Sequence, residues 1–246
     1  MKLSIVILSK TDNLEADFID SLGFADEIVV ICSTPISKNK KVSGKLHFFY
    51  HPIDDGFAKQ RNYGLSVAKG DWVLFVDTDE VISTMLAKEI IISIETKDFA
   101  GFYLPRIDTC YHQVQLHGEV GNTKIIRLAL RKSGKYLRAV HEYWNIKGKI
   151  GELRNPLFHT KDHFVSEFMN RITTYGDFDA ISLIKEGKPF SFFRLLAYPK
   201  AKFIQNYFLR LGFLDGITGL FQAYLMAIQS LSVRVFQWTL QKSSSE

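Results

Sequence analysis

At 246 residues and 28.2 kDa, the chain is long enough for one sizeable domain with an appendage and too short for a second full catalytic domain. Its 46% hydrophobic and 23% charged residues exclude a disordered or low-complexity protein, apart from the short tail Ser243–Ser245. The formal net charge of +5 admits nucleic acid, an anionic membrane or a phosphorylated small molecule as partner without choosing among them, and two distant cysteines, Cys32 and Cys110, form neither a zinc motif nor a disulfide framework.

The apolar run from Leu3 to Leu8 is short and is ended by Lys10 and Asp12 without a small-residue cleavage site, so it is expected to be a first strand rather than an export signal. Similar runs follow at Glu27 to Cys32, Leu46 to Tyr50 and Trp72 to Val76. Their near-continuous Val, Ile, Leu and Phe content is what strands buried on both faces need. Helices are predicted between and after them, at Leu14 to Leu22, Phe57 to Ala68 and Thr84 to Glu95, the last with Leu86, Ile90 and Ile94 four residues apart. Strand and helix alternate, which predicts an α/β fold with a mostly parallel sheet flanked by helices.

Within the predicted helix Phe57 to Ala68, Ala58, Asn62 and Leu65 share one stripe, so an amide sits on an otherwise apolar face and needs partners there. Lys59, Gln60 and Arg61 add donors, and Gly64 marks a close approach by backbone or ligand. The fourth run leads into Asp77, Asp79 and Glu80, three carboxylates within four positions that repel unless positive charge sits among them. Asp77 is expected at the carboxyl end of a parallel strand, where open α/β sheets bind ligands. Two readings compete for Asp79 and Glu80: capping the helix that begins near Ser83, or holding a divalent cation, Mn or Mg, with a substrate diphosphate.

From Gly101 to about Phe158 the pattern turns to strand-like pieces at Phe102 to Leu104, Ile125 to Leu128 and Tyr136 to Trp144, with turns at Ser133–Gly134 and Lys147–Gly148, an antiparallel extension. After His163 the chain is predicted to be helical to its end. There Phe190, Phe192, Phe193, Tyr198, Phe203, Tyr207 and further aromatics alternate with Arg194, Lys200, Lys202, Arg210, Arg234 and Lys242. The uncharged stretch Gly216 to Val233 touches the lower limit for a spanning helix, but Gln222, Gln229 and two glycines weaken it. Membrane-interfacial helices, dry packing on the domain or on a partner subunit, and a span all stay open, with the interface preferred. The expected division is 1–187 for the α/β domain and 188–246 for the helical, aromatic and basic region.

The run from Phe57 to Glu80, A-K-Q-R-N-x-G-L-x-x-A-x-G-D-W-V-L-x-x-D-x-D-E, resembles the family 2 glycosyltransferases of GT-A fold, and more narrowly the lipopolysaccharide inner-core glucosyltransferase branch. The segments VHEYWNIKGKIGELRNPLFH (140–159) and RLGFLDGITGLFQAYLMAI (210–228) carry the same resemblance, which covers most of the chain. It implies inverting transfer of a sugar from a nucleotide-diphosphate sugar donor to a glycan or lipid-linked acceptor, with a divalent metal stabilising the leaving diphosphate. Asp77 and Asp79 then take the nucleotide and metal positions of a D-x-D motif, with Lys59, Arg61 and Asn62 facing the nucleotide. The base is Glu142, with His141 as alternative, and His159 completes the metal shell, with His163 near enough in sequence to compete. Relatives carry an aspartate where this chain has Cys32, so the nucleotide contact falls to backbone or to neighbours such as Asp12. The expected site of work is the cytoplasmic face of a membrane, as a peripheral protein, with a homo-oligomer left open. A non-catalytic binding protein of the same fold is the alternative. Nucleotidyl transfer lacks its glycine-rich loop after the first strand, and the aromatics that RNA binding would use cluster in the helical C-terminal segment rather than on strands, so no nucleic acid partner is expected.

Overall fold

The computed structural model describes residues 1–37, 44–53, 56–110, 113–119, 121, 123–138, 142–161 and 163–243. The chain divides into two compact units, one of Met1–Arg106 with Lys124–His159 and one of Ile107–Thr123 with Thr160–Glu246. The expected boundary after residue 187 falls inside the second unit.

The first unit begins with β1 (Leu3–Ser9), α1 (Ala16–Ser21), β2 (Glu27–Cys32), β3 (Leu46–Tyr50), α2 (Phe57–Val67) and β4 (Trp72–Asp77). Strands β3, β2, β1 and β4 lie side by side in parallel, with Ile5 opposite both Ile28 and Leu74. In β1, β2 and β4 the continuous apolar runs are explained by cover on both faces; β3, expected to be buried in the same way, is the edge strand and only half-buried, with Tyr50 exposed. Leu3, Ile5 and Ile7 point to one side, into a cluster with Leu86, Ile90 and Ile94, while Val6 points to the other, with Val29, Phe75, Ala58 and Leu65. Each of those three helix residues, removed from water, contributes roughly 1.5–3 kcal/mol as an upper estimate.

Gly64 serves packing. A Cβ built on it would lie 2.6 Å from Val6 Cγ1, so α2 rests on β1 at a distance only glycine permits. Gly64→Val is expected to destabilise the protein by about 1–3 kcal/mol through overpacking, measured by urea unfolding.

Asp77 closes β4 as expected, but Glu80 does not lead into a helix. A short strand, β5 (Glu80–Ile82), comes first, and α3 (Thr84–Ile94) is capped by Ser83, whose hydroxyl accepts from the Leu86 amide at 3.2 Å. The capping reading of Asp79 and Glu80 is thereby corrected.

The antiparallel extension follows as β6 (Gly101–Cys110), β7 (Gln113–Gln115), β8 (Thr123–Leu130), β9 (Gly134–Leu137), β10 (Tyr143–Ile146), β11 (Ile150–Glu152) and β12 (Leu157–Lys161). The sheet order is β3-β2-β1-β4-β8-β6-β12-β5, with β8 antiparallel to β4 and β12 antiparallel to β5. The stretch from Tyr136 to Trp144, expected as one strand, is instead a hairpin of β9 and β10, with Tyr143 opposite Leu137 and Ile146 opposite Gly134. Only glycine fits at 134, because a Cβ there would lie 2.0 Å from the Asn145 carbonyl oxygen.

In the second unit, the end of β6 pairs with β7, and three helices follow: α4 (Phe164–Lys185), α5 (Phe192–Ile204) and α6 (Gly216–Ser243). Phe164, Phe168 and Ile172 of α4 pack with Leu225 of α6 and with Cys110. No single helix among the described residues is long and apolar enough to cross a membrane; Phe192–Leu209 and Gly212–Ser243 pass such a test only together, and they are bent by 71°.

Candidate active site

Asp77 stands opposite Leu8 at the carboxyl ends of β4 and β1. Its Oδ1 accepts from Arg61 Nη2 at 3.3 Å and its Oδ2 from Arg127 Nη2 at 2.5 Å. Its backbone N–H donates to Glu80 Oε2 at 2.9 Å, which folds the Asp77–Glu80 turn back on itself. Glu80 is 1% exposed, with Arg127 at 3.5 Å and Arg106 at 3.9 Å from its Oε1. The positive charge that the carboxylate run demands is thus supplied first by the protein, from three guanidinium groups.

Strand pairing explains how they get there. Antiparallel β8 sets Leu128 opposite Leu74, which brings Arg127 toward the end of β4. Antiparallel β12 sets His159 opposite Glu80, one residue from Asp79. His159 Nε2 then lies 2.9 Å from Asp79 Oδ2, and its Nδ1 lies 3.2 Å from Arg106 Nη2. A guanidinium only donates, so Nδ1 accepts and the ring proton sits on Nε2, donated to Asp79.

Arg61, its side chain 6% exposed, links the carboxylates: Nη2 donates to Asp77, and Nε donates to Glu142 Oε1 at 3.3 Å. Its charged carbon lies 5.3 Å from the Phe75 ring centre and 5.4 Å from that of Tyr136, which stacks on Trp144. Buried Arg61 Nη1, Tyr136 Oη and Trp144 Nε1 have no hydrogen-bond partner among the described residues. Buried donors of that kind mark a place for water or a ligand.

Burial works against ionising Asp77, but the Arg127 and Arg61 guanidiniums outweigh it and hold the carboxyl below the usual carboxylate range. At Glu80 burial prevails over Arg127 and pushes the carboxyl up. Burial also pushes the Tyr136 phenol up to about 12, so it stays a neutral donor. The signs are opposite. Asp77 stabilises the fold above its unfolded pKa, and that contribution is lost as pH falls through its lower folded value. Glu80 weakens the fold as pH rises from the ordinary carboxylate range through its raised value. Asp77→Asn is therefore expected to flatten the acid limb of stability against pH, and Glu80→Gln the limb above it, in urea titrations from pH 3 to 7.

Four carboxylates (Asp77, Asp79, Glu80, Glu142) meet three guanidiniums (Arg61, Arg106, Arg127), a formal balance of −1 with His159 neutral. Among the described residues no three His, Cys, Asp or Glu side chains are placed to hold one metal ion. Asp77, expected in the metal set, has both oxygens engaged by arginine. What fits a cation is the Asp79–His159 pair, two donor atoms now sharing a proton, with the Asp79 side chain 50% exposed. Magnesium and manganese in phosphate-handling sites often take only one or two protein carboxylates and complete their shell with substrate oxygens and water.

The remaining expected residues have other surroundings. Asn62 donates to the Tyr136 carbonyl and accepts from the Tyr136 N–H, both at 2.9 Å, so its amide clamps α2 to β9. The buried amide has the partners its place on the apolar stripe requires. Asp12 accepts from the Ser37 N–H at 2.9 Å and hydroxyl at 3.3 Å, pinning the loop after β2. Lys59 is exposed on α2, and Cys32 is wholly buried in the core. His141 lies outside the described residues. Arg106 and Arg127 escaped the sequence reading; the one local signal was the Arg127–Leu128 pair.

The family model described as Glycosyl transferase family 2 matches residues 26–154. An uncharacterized glycosyltransferase of Rickettsia typhi is 26% identical over 185 residues, 70% of this chain and 63% of the relative, so the chain spans less than two thirds of that protein's length. The lipopolysaccharide core biosynthesis glycosyltransferase LpsC of Rhizobium meliloti is 24% identical over 193 residues, 74% of this chain and 71% of the relative. Among solved structures, residues 1–349 of S. aureus TarS in complex with UDP-GlcNAc are 17% identical, cover 99% of this chain and 92% of that one, and superpose with a TM-score of 0.46.

Proposed function

The chain belongs to glycosyl transferase family 2, and we propose that it transfers a sugar, with inversion, from a nucleotide-diphosphate sugar to a glycan or lipid-linked acceptor of cell-envelope polysaccharide or lipopolysaccharide. The observation that carries this reading is the cluster of Asp77, Asp79, Glu142, Arg61, Arg127 and His159 at the carboxyl end of β4, where an α/β sheet presents its ligand site. LpsC, named for lipopolysaccharide core biosynthesis, supports the acceptor class.

In this reading Asp79 and His159 hold a divalent cation together with the donor diphosphate. When bound, that cation supplies charge stabilisation of the leaving diphosphate. Arg61 and Arg127 hold Asp77 fixed, so that the donor meets a carboxylate already ionised and oriented rather than one that must reorganise. Glu142 takes the acceptor hydroxyl proton as that oxygen attacks the anomeric carbon: Arg61 anchors its Oε1, which leaves Oε2 to face the acceptor. Asn62 and Asp12 act on position only, through the Tyr136 backbone and the Ser37 loop.

Incubating the protein with a panel of nucleotide-diphosphate sugars, with and without manganese, and assaying release of the nucleoside diphosphate tests this. Manganese-dependent release is expected. Donor binding without release, even with membrane extract as acceptor, would instead favour a non-catalytic protein of the same fold.

A further inference from the structure

We propose that Glu89 is a positioning residue for the Asp79–His159 pair: by holding the turn in front of β12 it sets the register of β12 against β5, and with it the approach of the two side chains. Its bearing on sugar transfer rests on the function proposed above. The residues that make the arrangement all belong to the first unit.

Asp79 and His159 come from distant parts of the chain and meet through a short ladder. Leu157 faces Ile82, Phe158 faces Val81 and His159 faces Glu80, three pairs at the edge where the sheet order ends. β12 has β6 on its other side, whereas β5 has no second neighbour in the sheet. An edge strand of three residues specifies its register weakly, and Val81, 51% exposed, adds little apolar burial. A slip of one residue would set Phe158 or Thr160 opposite Glu80 and turn the His159 ring to the other face of the sheet. The ladder needs a second point of attachment.

Helix α3 supplies it. The helix grows directly out of β5 with Ser83 as its cap, and its stripe of Leu86, Ile90 and Ile94 anchors it in the core. Beside that stripe Glu89 is half-buried and reaches the far side of the ladder. Its Oε1 accepts from the Arg154 N–H at 2.8 Å, and its Oε2 accepts from the Asn155 N–H at 2.8 Å and from the Asn155 side-chain amide at 2.7 Å. These two backbone groups lie between β11 and β12, so one carboxylate takes up the donors that the turn withholds from the sheet. Burial works against ionising Glu89, but the Arg154 and Asn155 donors outweigh it and hold the carboxyl below the usual carboxylate range. On either side of the turn, Leu153 and Leu157 are buried in the same cluster as Leu86 and Ile90. Two apolar anchors and three charge-assisted hydrogen bonds therefore join turn to helix. Because β5 and α3 are consecutive, fixing Asn155 on Glu89 fixes Leu157 on Ile82, and so His159 on Glu80.

The test is nitrogen–proton NMR of the histidine rings in the full chain, without metal or donor, so that it is decided separately from the proposed transfer. The His159 signals are identified by their loss in His159→Gln. The native chain is expected to show a proton on Nε2 that is bonded to Asp79 and exchanges slowly with solvent. In Glu89→Ala that proton is expected to exchange about tenfold or more faster, while the other histidines keep their signals. Arg154 is exposed and Asn155 half-buried, so water can take over their donors and the variant keeps its fold by circular dichroism. Glu89→Gln, which retains one acceptor oxygen, is expected to recover part of the native protection. An unchanged His159 proton in folded Glu89→Ala would overturn the proposal. So would an equal change at all seven histidines, which would make Glu89 a support of the fold at large.

Discussion

Glu142→Gln is expected to lower the rate of sugar transfer about 10²–10⁴-fold, the range for loss of a positioned general base, while donor affinity stays near that of the native protein. The amide keeps the size of the side chain, and its oxygen still accepts from Arg61 Nε in place of Oε1. What faces the acceptor is then an NH₂ group, which takes no proton. The check is steady-state kinetics: kcat falls and KM for the donor is little changed. A variant that retains its rate would move the proton transfer to another residue, His141 first.

Arg127→Met is expected to cost about 3–5 kcal/mol of stability, because it leaves two carboxylates without their shared counter-charge. Asp77 Oδ2 would lose its Arg127 donor, and Glu80, 1% exposed, would keep the Asp77 N–H at 2.9 Å and Arg106, at 3.9 Å, as counter-charge. Adding Asp77→Asn or Glu80→Gln to Arg127→Met should recover part of the loss, since each removes one uncompensated charge; a double-mutant cycle in urea unfolding measures it. Purely additive losses would show that Arg127 acts through packing alone.

The parts of this protein legible in its sequence are those written in local patterns. Continuous apolar runs mark β1, β2 and β4, which are buried on both faces, and also β3, which is only half-buried at the edge of the sheet; Leu86, Ile90 and Ile94 mark α3 by their spacing. Asp77 at the end of β4 and the need of Asn62 for partners followed from the same logic. The misses arise where distant segments meet. Arg106 and Arg127 enter the acidic cluster only because β6 and β8 join the sheet beyond β4, an order no local period encodes. The hairpin of β9 and β10 was taken for one strand because Tyr136 and Trp144 both look apolar from the sequence, while it is their stacking at 5.1 Å that marks the fold-back. Glu142 consequently lies just ahead of β10 (Tyr143–Ile146). Asp79 and Glu80 resembled helix caps until β5 intervened and Ser83 took that role.

Those guanidiniums also refine the central inference. The carboxylate run demands positive charge, and the structure supplies most of it with arginine; in the proposed function the Asp79–His159 pair would hold the metal with the donor diphosphate. The most direct measurement is calorimetric titration of a nucleotide-diphosphate sugar into the protein, with and without manganese, in the native chain and in Asp79→Asn. The account expects manganese to tighten donor binding by about tenfold or more, roughly 1.4 kcal/mol, in the native chain and to have no effect in the variant. Donor binding by the native chain that is indifferent to both manganese and magnesium would contradict it.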